Sequence, residues 1–143
     1  QLNGQLGEHL EETTEVTGVL ALSPPTDFLS VPKDFDGLLD YYAEDSPVTQ
    51  LLGESITSAP EKSNLASPLR RFTGACPPTL FLHGEADPIV PVEQSVILHE
   101  TLLAAGVDSD LMRLAGYTHG DHRFNRGAPA ERINAYLKNR ATA

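Results

Sequence analysis

Three short runs dense in Val and Leu punctuate this chain, and each stops at a turn. "VTGVLALS", residues 16–23, is halted by Pro24–Pro25, and its unbroken apolar character predicts a strand buried on both faces, as parallel strands are. "TLFLH", residues 79–83, predicts a second strand, and "DSDLMRLAG", residues 108–116, a third, placed nearer an edge because it carries Arg113. Between the second and third, "VEQSVILHETLLAAG" puts Val92, Val96, His99 and Leu103 on one face of a helix opened by Pro91 and closed by Gly106. A last helix over 129–140 opens at Pro129, with Ile133, Tyr136, Leu137 and Arg140 along one stripe and basic residues in its final turns.

The segment between the first two strands is less regular. "KDFDGLLDYYAED" spaces Phe35, Leu38, Leu39 and Tyr42 as a helix would, although Gly37 weakens it. Residues 46–76 are rich in Ser, Pro and Gly and predict loops with short helical turns around "VTQLLG" and "NLASPLRRF". Residues 1–15 read as a polar loop with one weak helical turn. The order strand, long excursion over 28–76, strand, helix, strand, helix is the grammar of an open α/β sheet. The expectation is one partial α/β domain over 1–143, with three mainly parallel strands, flanking helices, and the rest of the sheet supplied from outside this chain.

Length and charge narrow the functional classes. A compact chain of 143 residues with 40% apolar content can build a core. Its formal charge of −10, from 20 acidic and 10 basic residues, argues against a nucleic-acid surface, which needs clustered Lys and Arg. No apolar run approaches the roughly 20 residues that span a bilayer. Cys76 is the single cysteine, which excludes an internal disulfide and a thiolate metal cluster, and it reads as a passive, semi-buried side chain. The sequence opens on Gln1 with no basic-plus-apolar leader, so a portion of a longer protein is expected and the compartment stays open.

In open α/β sheets, ligands sit beyond the carboxyl ends of the strands. Asp87 follows its strand by four residues and His119 follows its own by about three. Parallel strands would bring both to one edge. There an acid can hold one ring nitrogen of histidine and stabilise the imidazolium formed when the other takes a proton from a hydroxyl. Each residue also has a plainer reading, Asp87 as a turn former before Pro88 and His119 as a solvated loop residue. His122 is a rival base read as a surface residue or one that supports the site from behind, His83 as a backbone-bonding residue at its turn, His99 as a core-edge residue, and His9 as solvated. Asp27 reads as a turn acid bonded to nearby amides. "HGDH" places His119 and His122 three apart, but Gly120 makes a helix poor there and no HExxH is present, so no metal is expected. No glycine-rich phosphate loop appears, and no cofactor is expected.

"LFLHGEADPIVPVEQSVILHETLLAAGV" and "LMRLAGYTHGDHRF" resemble the C-terminal part of α/β-hydrolase esterases. The nearest branch is that of small-molecule esterases and lipases related to hormone-sensitive lipase and to bacterial feruloyl and acetyl-xylan esterases. "GVLALSPPTDFL" resembles that branch's strand after the nucleophile, and the likeness covers nearly the whole chain. By this resemblance Asp87 matches the catalytic acid and His119 the catalytic histidine, in the order Ser, Asp, His. The serine's G-x-S-x-G elbow is not in this sequence. "NGQLGEHLEE" stands roughly where the family continues after that elbow. Ser23 directly precedes two prolines and lacks the strand–turn–helix setting of a nucleophile, and Ser30, Ser46, Ser67 and Ser95 lie in loops or early helix.

The resemblance therefore implies a carboxylic ester hydrolase acting on a small-molecule ester, with this chain inactive by itself. The excursion's Phe35, Leu38, Leu39, Tyr41 and Tyr42 read equally as cover for an acyl or aryl pocket and as ordinary packing. A serine peptidase of the same fold stays open. So does a non-enzymatic module, in which the first strand's edge pairs with a second copy or with a complementing N-terminal portion.

Overall fold

The computed structural model describes residues 15–141, which leaves all but the last residue of the expected N-terminal loop outside it. The elements run β1 (Val19–Leu22), α1 (Pro47–Leu52), α2 (Pro60–Ala66), α3 (Pro68–Arg71), β2 (Thr79–Gly84), α4 (Glu93–Ala104), β3 (Ser109–Leu114), a 3₁₀ turn (His122–Asn125) and α5 (Gly127–Ala141). The strands form one sheet in the order β1-β2-β3, and both pairings are parallel. This is the α/β architecture expected from the sequence. Among the described residues no helix is long and apolar enough to cross a membrane.

Strand alternation decides which helix meets which face. Leu80 and Leu82 of β2 are fully buried and pack with Phe124, Met112, Ile133 and Tyr136, so α5 covers that face. Phe81 and His83 turn to the opposite face, where Phe81 meets the His99 ring edge-on at 6.4 Å and His83 reaches Ser95 of α4. Every residue of β2 is buried, as befits a central strand.

Three expectations need correction. β1 is shorter than predicted and half-buried, with Leu22 44% exposed, because it pairs only with β2 and forms a sheet edge among the described residues. The helix expected over 33–45 is a series of turns. There the Leu38 N–H donates to the Pro88 carbonyl at 2.6 Å, and a Cβ on Gly37 would stand 2.4 Å from that same carbonyl. A long-range contact has taken the place of helical bonding. The buried stripe of α4 also differs from the apolar pattern. Gln94, Ser95 and Leu102 face inward, whereas Leu103 is 49% exposed, because the deepest positions are used for hydrogen bonds to other segments.

Gln94 shows what those bonds do. Its carboxamide oxygen accepts the Thr26 N–H at 3.0 Å and the Asp27 N–H at 2.7 Å, and its nitrogen donates to Ser30 Oγ at 3.0 Å. A side chain on α4 thus satisfies the backbone that leaves β1. The excursion beyond has a core of its own, in which Phe28, Val31, Tyr41, Val48, Leu52 and Ile56 pack together. Arg70 of α3 ties it back with two bonds to the Asp27 carboxylate, at 2.6 and 2.9 Å. Burial alone would raise the Asp27 pKa, but Arg70 and the Leu29 N–H outweigh it and hold the group below the usual carboxylate range.

Candidate active site

Parallel β2 and β3 deliver their carboxyl ends to one edge, and the two connecting loops meet there. The Glu85 N–H donates to the Leu114 carbonyl at 3.0 Å and the Ala86 N–H to the Tyr117 carbonyl at 3.0 Å. Gly84 makes the approach possible, since a Cβ there would lie 2.2 Å from the Tyr117 oxygen. Across this seam His119 Nδ1 donates to Asp87 Oδ2 at 2.9 Å.

The Asp87 carboxylate is wholly buried and fully used on one side. Its Oδ1 accepts the Ile89 N–H at 2.8 Å and the Val90 N–H at 2.9 Å, which leaves Oδ2 for His119. Burial by itself would push its pKa up. The Val90 and Ile89 amides, followed by His119, reverse that and hold the carboxyl below its ordinary value. An ionised acid can only accept, so His119 carries its proton on Nδ1 and leaves Nε2 free to take one. The His119 side chain is 40% exposed, so that nitrogen can be reached.

His83 sits behind the acid with no exposed surface. Its Nε2 lies 3.0 Å from the Val90 carbonyl and 3.4 Å from Asp87 Oδ2, and its Nδ1 lies 2.7 Å from Ser95 Oγ. A carbonyl cannot donate, so Nε2 bears the proton and Nδ1 accepts from the Ser95 hydroxyl. Burial drives the His83 pKa down, and the neutral ring props the turn that carries Asp87. This matches the backbone-bonding part expected of His83. His122, 77% exposed, sits away from the pair as a surface residue, and His99 bonds Ser109 Oγ at 2.8 Å.

The histidine loop has a clamp that the sequence did not single out. Arg123 donates to Asp121 Oδ2 at 2.6 Å and to the Gly116 carbonyl at 2.7 Å, while its guanidinium lies 4.0 Å from the centre of the Tyr117 ring. Asp121 also accepts the Thr118 N–H at 3.2 Å. Its pKa is driven far down, chiefly by Arg123. The "D-x-R" spacing in "GDHRF" was the available signal, a carboxylate and a guanidinium two residues apart around a turn.

His119 borders a cavity of about 250 Å³ whose other walls include Phe28, Leu39, Tyr41, Val48 and Ile89. Tyr41 spends its hydroxyl on the Ile89 carbonyl at 2.9 Å, and its pKa is pushed up to about 12 by burial and the nearby Asp87 charge. The cavity wall is therefore mainly apolar, with His119 on it and the Tyr41 hydroxyl already spent on Ile89. A larger cavity, about 370 Å³, lies beside β1 among Val19, Ala21, Phe81 and Leu102, and His119 does not line it. Ser23 is 3% exposed and is followed by turns rather than a helix.

Solved structures that superpose on this chain include two esterases and a puromycin hydrolase. A truncated carbohydrate esterase from gut microbiota superposes with a TM-score of 0.82 at 24% identity, over 98% of this chain and 48% of that one. Esterase Est2 of Thermogutta terrifontis does so with a TM-score of 0.61 at 21% identity, over 96% and 45%. A mutant puromycin hydrolase gives a TM-score of 0.68 at 26% identity, over 88% and 18%. The chain thus spans about half the length of the two esterases. A 42-residue stretch, 29% of this chain, is 45% identical to 2% of the non-reducing polyketide synthase ausA of Penicillium brasilianum. The BD-FAE family model matches residues 1–102, a span that includes Asp87 and covers more than two-thirds of the 143 residues. On that match the chain belongs to the BD-FAE family of α/β-hydrolase esterases.

Proposed function

We propose that this chain carries the acid–base half of a serine carboxylic-ester hydrolase, with Asp87 as the acid and His119 as the base. One contact carries the reading. A buried, ionised Asp87 holds His119 Nδ1 at 2.9 Å and leaves Nε2 open beside a mainly apolar cavity. The nucleophilic serine and the oxyanion donors come from polypeptide outside this sequence. In the complete site the serine attacks the ester carbonyl as His119 Nε2 takes its proton. His119 then protonates the departing alcohol, and water activated by the same ring frees the acid. Asp87 keeps the ring in one tautomer and balances the imidazolium charge. The cavity suits a small or aryl group of the ester, and sugar esters fit the carbohydrate esterase among the structural neighbours.

The chain alone, given p-nitrophenyl acetate, should do no better than a denatured control, since one lost oxyanion donor already costs about 3 kcal/mol. Fusion to an N-terminal half that bears a G-x-S-x-G elbow should restore turnover. Asp87→Asn should then lower kcat by roughly 10⁴-fold, as it does in a serine-protease triad. Turnover by the chain alone that disappears in Ser23→Ala would overturn the reading, as would a fused enzyme indifferent to His119→Ala. Pairing p-nitrophenyl esters with matching anilides separates an esterase from a peptidase. The open edge of β1 is where the complementing half would add its strands. Light scattering that finds a defined dimer of the chain alone would favour a second copy there instead.

A further inference from the structure

Ser23 combines two costs in one residue. Among the described residues it is the one non-glycine with positive φ, at 47°. It is 3% exposed, and its Oγ is shut off from solvent without a well-formed hydrogen bond. A left-handed serine and an unsatisfied buried hydroxyl each work against folding, and such strain collects where a side chain must be aimed.

The sheet register says what it is aimed at. Leu22 pairs with Leu82, so Ser23 falls opposite His83, and its N–H donates to the Leu82 carbonyl at 2.9 Å. His83 Nε2 stands 3.4 Å from Asp87 Oδ2, so Ser23 closes the same corner from the β1 side. The Ser23 hydroxyl is also among the groups that hold the Asp87 carboxyl down. The hydroxyl thus lowers the carboxyl without making a full hydrogen bond to it. A change of χ1, which swings Oγ about the Cα–Cβ bond, with rotation of the proton about Cβ–Oγ, completes it. Asp87 Oδ1 already accepts two amides, whereas Oδ2 has one short donor, His119.

We propose that Ser23 is a positioning residue, whose hydroxyl donates to Asp87 Oδ2 and fixes the carboxylate for His119. This rests on the reading of Asp87 and His119 as the acid–base pair. The left-handed backbone of Ser23 accompanies a buried Oγ at the strand end. The titratable groups facing the carboxylate are His119, His83 and Tyr41, and the Ser23 hydroxyl is the neutral donor added to them.

The test uses the full chain with carbon-13 NMR of the Asp87 carboxyl and nitrogen-15 NMR of the His119 ring. Ser23→Ala removes the hydroxyl and keeps the backbone strain, whereas Ser23→Gly removes both. Both variants should move the Asp87 titration midpoint upward and shift the His119 Nδ1 proton resonance. A more stable Ser23→Gly with the Asp87 midpoint unmoved would assign Ser23 to turn geometry alone and overturn the proposal. Asp87→Asn is the control for the pair itself. If it leaves the His119 ring unchanged, the pair reading fails; if it moves the ring and the Ser23 variants do not, only the present proposal fails. A high-resolution crystal structure of the unaltered chain gives a check that needs no variant. Ser23 Oγ within about 3 Å of Oδ2 supports the proposal, and Oγ bonded elsewhere overturns it.

Discussion

Gly84→Ala should pull apart the seam that joins the acid loop to the histidine loop. The added Cβ would sit 2.2 Å from the Tyr117 oxygen, where real contacts stay beyond about 3 Å, so the carbonyl must retreat by about 1 Å. The Ala86 N–H to Tyr117 bond, now 3.0 Å, would then stretch to roughly 4 Å and be lost. Overpacking of this kind costs about 1–3 kcal/mol. The broken bond adds about 1 kcal/mol. Reduced freedom of the unfolded chain returns about 0.5–1 kcal/mol. The net loss is about 1–3 kcal/mol, a fall of about 1 M in the urea midpoint for a domain of this size. Because Tyr117 lies two residues before His119, the same retreat should lengthen the contact with Asp87 and erase the downfield His119 Nδ1 proton signal. An unchanged urea midpoint together with an unchanged proton signal would refute the argument that backbone proximity at Gly84 builds the pair.

Other expectations follow from the same geometry. Gln94→Ala should cost about 2–4 kcal/mol in urea unfolding, because it opens a cavity and leaves the buried Thr26 and Asp27 amides without an acceptor. Arg123→Met should speed amide hydrogen exchange across 117–120 while leaving exchange in β2 unaltered, since it frees Gly116 and Asp121 without touching the sheet. Stability should fall as the pH drops below about 6.5, by up to about 1.4 kcal/mol per unit, because the unfolded chain binds a proton at His83 that the folded chain refuses. A second loss should begin below about pH 4, as the unfolded carboxyls of Asp27 and Asp87 take up protons before the folded ones do. Urea titrations from pH 3 to 8 measure both, and a flat profile between pH 7 and 5 would contradict the neutral, buried His83.

What the sequence disclosed was the part written in local pattern. Asp87 and His119 could be picked out because each follows an apolar run by a few residues, and parallel strands send such turns to a common edge. His83 and His99 were also read correctly from their immediate neighbours, and Cys76 is half-buried as expected. The misread segment, 33–45, carries helical spacing, yet its Leu38 amide is committed to Pro88 some fifty residues away, and Leu38 itself is 81% exposed. No window along the chain contains that bond. Gln94 was hidden for the same reason, since a glutamine on a helix gives no sign that it caps Thr26 and Asp27. Arg123 lay in plain view next to His119, but a two-residue spacing around a turn carries weight only once the turn exists.

The excursion's separate core has a consequence for how this scaffold can change. Phe28, Tyr41 and Val48 belong to that cluster and also form one side of the space next to His119, whereas the acid loop hangs on β2 and β3. The apolar wall beside His119 and the turn that carries Asp87 therefore stand largely on different elements, joined where Tyr41 bonds the Ile89 carbonyl. In the proposed ester hydrolase, exchanges at Phe28 or Val48 would admit a bulkier or slimmer group while Tyr41, tied to the acid loop, stays in place, so that one chemistry would serve several esters.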